Sequence, residues 1–315
     1  MPFPSKPSAF IHEAMATTFE FRVRHAEPVY ARQAAQAAFA EIDRLETLLS
    51  RFHEGSDIWR INHAATGEHV VISEECHACL LQALQLHEFT GGAFDITIGA
   101  AADLVKSAGK NRVVPEPDAL QDILDQRAAS TIALSPGNFV VEVTQPGASL
   151  DLGAIGKGFA LDAAAALLRE WEIENALLSA GGSSILAMGA ESDAPGTGGW
   201  PVNLLGETRS APLVLHDYAL GASGTGEQGN HIIDPRRRSQ AYAHIRAWAL
   251  APAAAAADAL STAWMTMNRD EIAGVVAGLA PGHAAMVENP DGSLHLCNRT
   301  GVWARLEPGA HPVRA

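Results

Sequence analysis

The spacing of apolar and polar positions divides the chain into alternating helices and strands. Phe19-Glu20-Phe21-Arg22-Val23 has the period-two pattern of a strand, and Met15-Ala16-Thr17-Thr18 leads into it. Phe39, Ile42, Leu45, Leu48 and Leu49 fall at helical spacing, which predicts an amphipathic helix from about Val29 to Leu49. A turn at Glu54-Gly55-Ser56-Asp57 leads to a short segment ending at Asn62. A second helix is predicted over Glu74–Phe89, stopped by Gly91-Gly92 in the manner of a C-cap.

The polar, acidic stretch from Asn111 to Gln126 reads as a surface excursion with one short helix. Thr131 to Leu152 holds two β-rich runs around Ser135-Pro136-Gly137-Asn138, a hairpin signal. Asn175 to Met188 gives two strand-like halves separated by Gly181-Gly182, and Glu191 to Gly199 reads as a loop tip. Further strands are predicted over Leu213–Leu220 and Ala241–Leu250. A helix follows from about Ala254 to Met267, then a helix over Glu271–Leu279 and a strand over Ala284–Val287.

Composition narrows the class. Hydrophobic residues make up 47% of the 315 and charged residues 18%, enough for a sizeable core and incompatible with general disorder. The formal net charge is −14, and the one basic run, Arg236-Arg237-Arg238, is too short for a nucleic-acid footprint. An anionic ligand is therefore expected to be held by a metal ion and backbone dipoles. The N-terminal stretch lacks a continuous apolar core, and no segment has the length and hydropathy of a transmembrane span. The expectation is a soluble, cytoplasmic protein as the sequence stands, or a periplasmic one if a leader has been removed. One domain over residues 1–315 is expected, with room for two closely packed subdomains.

Asp151-Leu-Gly-Ala-Ile-Gly-Lys-Gly-Phe-Ala-Leu-Asp162 carries the strongest chemical signal. Three glycines clear side chains from a strand-to-helix turn, so backbone N–H groups can reach an anion, and Lys157 adds a positive charge. It is not a P-loop, because Asp151 stands five before Gly156 and Gly158 follows Lys157. Gly224-Thr-Gly226-Glu-Gln-Gly229 matches GxGxxG but runs into Asn230-His-Ile-Ile-Asp-Pro235, an extended segment closed by proline, so a dinucleotide fold is rejected. Cys76 and Cys79 have CxxC spacing without a second pair, which favours two small helix-face residues over a zinc site. On the last predicted long helix, Asp258, Ser261 and Thr262 share one face. They fit a hard cation such as Mg2+ or a hydrogen-bond cluster near the helix start.

Met15-Ala-Thr-Thr, Leu49-Ser-Arg-Phe52, Gly92-Ala-Phe-Asp95, Asp151-Leu-Gly-Ala-Ile-Gly-Lys-Gly158, His231-Ile-Ile-Asp-Pro235 and Asp258-Ala-Leu-Ser-Thr262 occur in this order. Together they resemble the ApbE family of FAD:protein FMN transferases. The resemblance implies an α+β, T-fold-related architecture of mostly antiparallel sheets packed with helices. It also implies Mg2+-dependent transfer of the FMN half of FAD onto a Thr or Ser hydroxyl of a client flavoprotein carrying D-x-x-[S/T]-G-A-[S/T], with release of AMP. By position, Met15, Phe52, Ala93, Phe94 and Asp95 would surround FAD, with Asp151, Lys157 and Ile233 also holding it. The carbonyl of Ala154 and the side chains of Asp258 and Thr262 would bind Mg2+. Ser261 stands where relatives often have an acidic residue, and Ala16 where they have glycine. His231 is the choice for a general base, since histidine titrates near neutrality; the other reading is a structural histidine at a strand edge. An FAD pyrophosphatase and a non-catalytic flavin carrier are the alternatives. Asp217-Tyr-Ala-Leu-Gly-Ala-Ser223 loosely echoes the acceptor pattern, with Leu220 at a Ser/Thr position, which argues against self-modification at Ser223.

Overall fold

A computed structural model describes residues 6–110, 117–125, 131–135, 137–147, 149–192, 198–204, 212–225, 232–241 and 243–297. His231, the end of the GxGxxG match and parts of the acidic excursion and of the 191–199 tip lie outside them. The chain opens with a hairpin, β1 (Ser8–Ala14) and β2 (Thr17–Val23). Helix α1 (Pro28–Leu49), helix α2 (Asp57–His63), strand β3 (His69–Val71) and helix α3 (Glu74–Phe89) follow. Then come α4 (Gly99–Lys110), α5 (Pro117–Asp125), β4 (Ile132–Leu134), β5 (Val140–Val143), α6 (Gly156–Glu170), β6 (Ala176–Ala180) and β7 (Ser184–Met188). The remaining strands are β8 (Trp200–Asn203), β9 (Pro212–Leu215), β10 (Ala219–Gly224), β11 (Ile233–Asp234), β12 (Ser239–Gln240) and β13 (Arg246–Ala251). Helices α7 (Ala254–Trp264) and α8 (Arg269–Gly278) and strands β14 (Ala284–Glu288) and β15 (Leu294–Cys297) complete it.

Eight strands form one antiparallel sheet in the order β1-β2-β6-β7-β10-β13-β14-β15. Helix α1 packs on α6, α6 on α7, and α7 on β10 and β13. Alanines make this approach possible: Ala31, Ala34, Ala35 and Ala38 of α1 and Ala160, Ala164 and Ala165 of α6 are buried in the same cluster as Phe19, Phe21 and Ile42. The opposite face of the sheet buries Leu177, Ala187, Leu220, Trp248 and Leu250 against Trp200, Leu213 and Leu215 of the β8–β9 hairpin. A separate three-stranded sheet, β3-β5-β4, contributes Val70, Ile132, Val141 and Val143 to the same main core.

Most predicted elements form where the pattern puts them, and α3 ends as expected. Gly91, with φ +56°, donates to Glu88 O and Gly92 donates to His87 O, the paired bonds of a glycine C-cap. Two predictions need correction. Leu213–Leu220 is not one strand: it breaks at Asp217, whose φ is +51°, into β9 in the small hairpin and β10 in the large sheet. The Ala241–Leu250 strand begins only at Arg246.

Strand register gathers the site at one end of the large sheet. Phe19 pairs with Ala180, Ala180 with Ser184, and Ser184 with Gly221. The Met15-Ala16 turn, the Gly181-Gly182 turn and the end of β10 therefore share an edge. Gly181 is fixed there, with φ +58° and its N–H donating to Thr18 O; a Cβ would lie 2.2 Å from Thr17 Oγ1.

Candidate active site

The glycine turn and α7 are joined directly. Helix α6 begins at Gly156, and its N-cap residue, Ile155, supplies no side-chain acceptor, so its first-turn amides need partners elsewhere. Gly158 N–H donates to Asp258 Oδ2 at 2.8 Å, and Ser184 Oγ donates to Asp258 Oδ1 at 2.6 Å. The converse holds for α7, whose N-cap, Ala253, also has no acceptor. There Asp162 of α6 accepts from the amides of Ala254 at 2.7 Å and Ala255 at 2.9 Å. Each helix thus caps the other with a carboxylate. A Cβ on Gly158 would sit 2.2 Å from Ala254 O, and one on Gly221 would sit 2.1 Å from Ala257 O. Only glycine lets α7 lie this close to both neighbours.

The carboxylate at the centre is buried, and burial raises its pKa; the charge of Lys157 and the bonds from Ser184 and Gly158 lower it. One turn on, Ser261 Oγ and Thr262 Oγ1 both reach Asp258 O, and Ser223 Oγ on β10 lies 2.9 Å from Ser261 Oγ and 3.2 Å from Thr262 Oγ1. The donors are all oxygens, one of them anionic, a set suited to a hard divalent cation that completes its shell with water or phosphate oxygens. Among the described residues no three His, Cys, Asp or Glu side chains converge as a metal cage.

A second set of contacts ties the glycine turn to the Gly92–Asp95 loop. Asp151 N–H donates to Ile96 O and Gly99 N–H to Ser149 O. Asp151 Oδ1 accepts from Gly153 N–H at 2.7 Å, while its Oδ2 faces Arg51 Nε at 3.3 Å and Lys106 Nζ at 3.8 Å. Arg51 is nearly buried, also pairs with Asp103, and carries its guanidinium 4.5 Å from the centre of the Phe52 ring. That ring is 76% exposed. Lys157 Nζ lies 3.4 Å from Gly153 O.

Residues 15–287 match the model of the ApbE family. The chain belongs to the ApbE family. A relative from Treponema pallidum named FAD:protein FMN transferase is 30% identical over 282 residues, covering 82% of this chain and 77% of its own length. Another so named, from Chlamydia muridarum, is 26% identical over 84% of this chain and 86% of its own. Among solved structures, the ApbE protein of Thermotoga maritima superposes with a TM-score of 0.82 at 25% identity, covering 95% of this chain and all of that one. The flavin transferase ApbE of Vibrio cholerae gives 0.81 at 19% identity, covering 97% and 100%. The α+β architecture expected from sequence is the ApbE fold.

Within this ApbE fold, Asp258, Ser261 and Thr262 cluster with the turn that holds Ala154 and Lys157. Met15 is at the neighbouring hairpin, and Phe52 projects beside Arg51. The other four residues expected at FAD, Ala93, Phe94, Asp95 and Ile233, are buried. The Phe94 ring is buried in the main core, and Ala93 is buried with it. Asp95 turns its Oδ1 to Thr97 N and Oγ1, each at 2.7 Å. Ile233 packs with Ala101, Val105, Leu120 and Leu124 of α4 and α5. These four side chains hold the loops around the site by packing or hydrogen bonding. Cys76 and Cys79 are helix-face core residues, and burial pushes the Cys79 thiol up to about 12. Local sequence assigns no role to Arg51, Asp162 or Ser184, because the partner of each lies far along the chain.

Proposed function

We propose that this ApbE-family chain is an FAD:protein FMN transferase. It moves the FMN half of FAD onto a Ser or Thr hydroxyl of a client flavoprotein, with Mg2+ as cofactor and AMP as leaving group. The transferase name carried by relatives that match most of the chain supports the reading. The observation that carries it here is the buried Asp258 carboxylate, clamped between the glycine turn and Ser184, with the hydroxyls of Ser261, Thr262 and Ser223 clustered one turn further along α7. A large sheet built from strands of both halves of the chain supports treating it as a single domain.

Asp258 and Thr262 would hold Mg2+, with the Ala154 carbonyl and Ser261 as further oxygens. The ion supplies charge neutralisation on the pyrophosphate. The positive end of the α6 dipole and the Lys157 ammonium favour the same anion from the protein side. Met15, Phe52 and Asp151 would line the flavin and adenine ends. The acceptor oxygen bonds to the FMN phosphorus as the bond from that phosphorus to the bridging oxygen breaks. AMP leaves with the bridging oxygen, and the hydroxyl proton passes to a base, for which His231 is proposed.

The test is incubation with FAD, Mg2+ and a client bearing D-x-x-[S/T]-G-A-[S/T], read by intact mass and AMP assay. An FMN-sized mass gain with matching AMP is expected. AMP without a modified client would instead indicate FAD hydrolysis.

A further inference from the structure

Ser184 opens β7 and shares its inward face with Leu186 and Met188, which are buried in the main core. Alternation calls for an apolar residue here, yet the position carries a hydroxyl that is 1% exposed. Buried hydroxyls are retained where they have a partner, and this one donates to Asp258 Oδ1 at 2.6 Å. Its cross-strand neighbour on β10 is Gly221, whose missing side chain admits the backbone of Ala257 and so brings α7 within reach. On its other side it pairs with Ala180, another small residue.

We infer that Ser184 is a positioning residue for cation binding at Asp258. With Gly158 N–H on Oδ2 and Ser184 O–H on Oδ1, the carboxylate is fixed in rotation, and its remaining lone pairs are left for the ion. The inference rests on the reading of Asp258 as a cation ligand.

The experiment compares wild type, S184A, S184T and S184C. It reads the half-saturating Mg2+ concentration in FMN transfer and, separately, the rise in melting temperature on adding Mg2+ alone. S184A should raise the half-saturating concentration roughly tenfold to a hundredfold in both readouts, the usual effect of removing a partner of a metal-binding group. S184T, which keeps the hydroxyl, should stay near wild type. If S184A melts lower but keeps the wild-type Mg2+ dependence, Ser184 only fills the core and the inference fails. If wild type shows no Mg2+ dependence in either readout, the cation reading of Asp258 fails, and this inference with it. Should S184A not fold, S184C, of nearly the same shape with a weaker donor, carries the comparison.

Discussion

The amide of Gly158 and the carboxylate of Asp258 meet at 2.8 Å although a hundred residues separate them. This bond joins the glycine turn to α7. It uses an amide that α6 leaves without a helical partner, and it occurs where the helices have no room for a side chain. The glycine turn and the Asp258 carboxylate are thereby held as one unit.

G158A should therefore be costly. The added Cβ would meet the backbone of Ala254 rather than a movable side chain. Overpacking of this kind costs roughly 1–3 kcal/mol, and the shift of α7 should also abolish transfer. Chemical denaturation together with the transfer assay checks this; wild-type stability in G158A would contradict the packing.

Ala16 holds φ +56° next to Met15 at +50°, a two-residue hairpin turn made without the glycine that favours such angles. A16G should stabilise the protein, by up to roughly 1 kcal/mol, because relief of the left-handed strain outweighs the added freedom of the unfolded chain. A lower denaturation midpoint in A16G would show that the turn is not strained.

Asp162 is held by two backbone amides, yet burial outweighs them and pushes its pKa up to about 6. A native pKa above the unfolded value means that the stabilisation from proton binding is complete below about pH 4 and is lost as pH rises through about 6. D162N removes that dependence and turns an NH2 group toward one of the two amides, a loss of about 1–3 kcal/mol for a buried unpaired donor. The stability advantage of wild type over D162N should be larger at pH 4 than at pH 7. Parallel stability profiles would contradict the assignment.

The hydrophobic pattern revealed more of the fold than of the site. Helical spacing locates α1, alanine-rich composition locates α6 and α7, and glycine punctuation marks the end of α3 and the β6–β7 turn. The hydrophobic pattern missed β1, whose Ser8–Ala14 sequence mixes small and charged residues on a half-covered strand. It fused β9 with β10 because the break at Asp217 depends on a backbone angle that aspartate adopts without announcing it. Helical spacing alone brings the oxygens of Asp258, Ser261 and Thr262 to one face of α7, and leaves open whether they serve a cation or a hydrogen-bond cluster. Phe94 and Ile233 sit in motifs that look ligand-facing, yet their side chains point into packed clusters. The roles of Ser184, Asp162 and Arg51 depend on sheet register and helix crossing, which place each beside a partner many residues away. Local spacing carries no trace of that.

In the proposed transferase, the Asp258 carboxylate supports cation-dependent FMN transfer without being needed for the fold. Asparagine can keep one acceptor toward Gly158 N–H and offer its NH2 to Ser184 Oγ, and it removes a buried charge. D258N should therefore match or exceed wild-type stability in the absence of Mg2+. The most direct measurement is AMP release and FMN attachment by D258N and wild type across a Mg2+ series. Wild type should turn over with Mg2+, and a folded D258N should form neither product at any Mg2+ concentration; wild-type turnover in D258N would contradict the role proposed for Asp258.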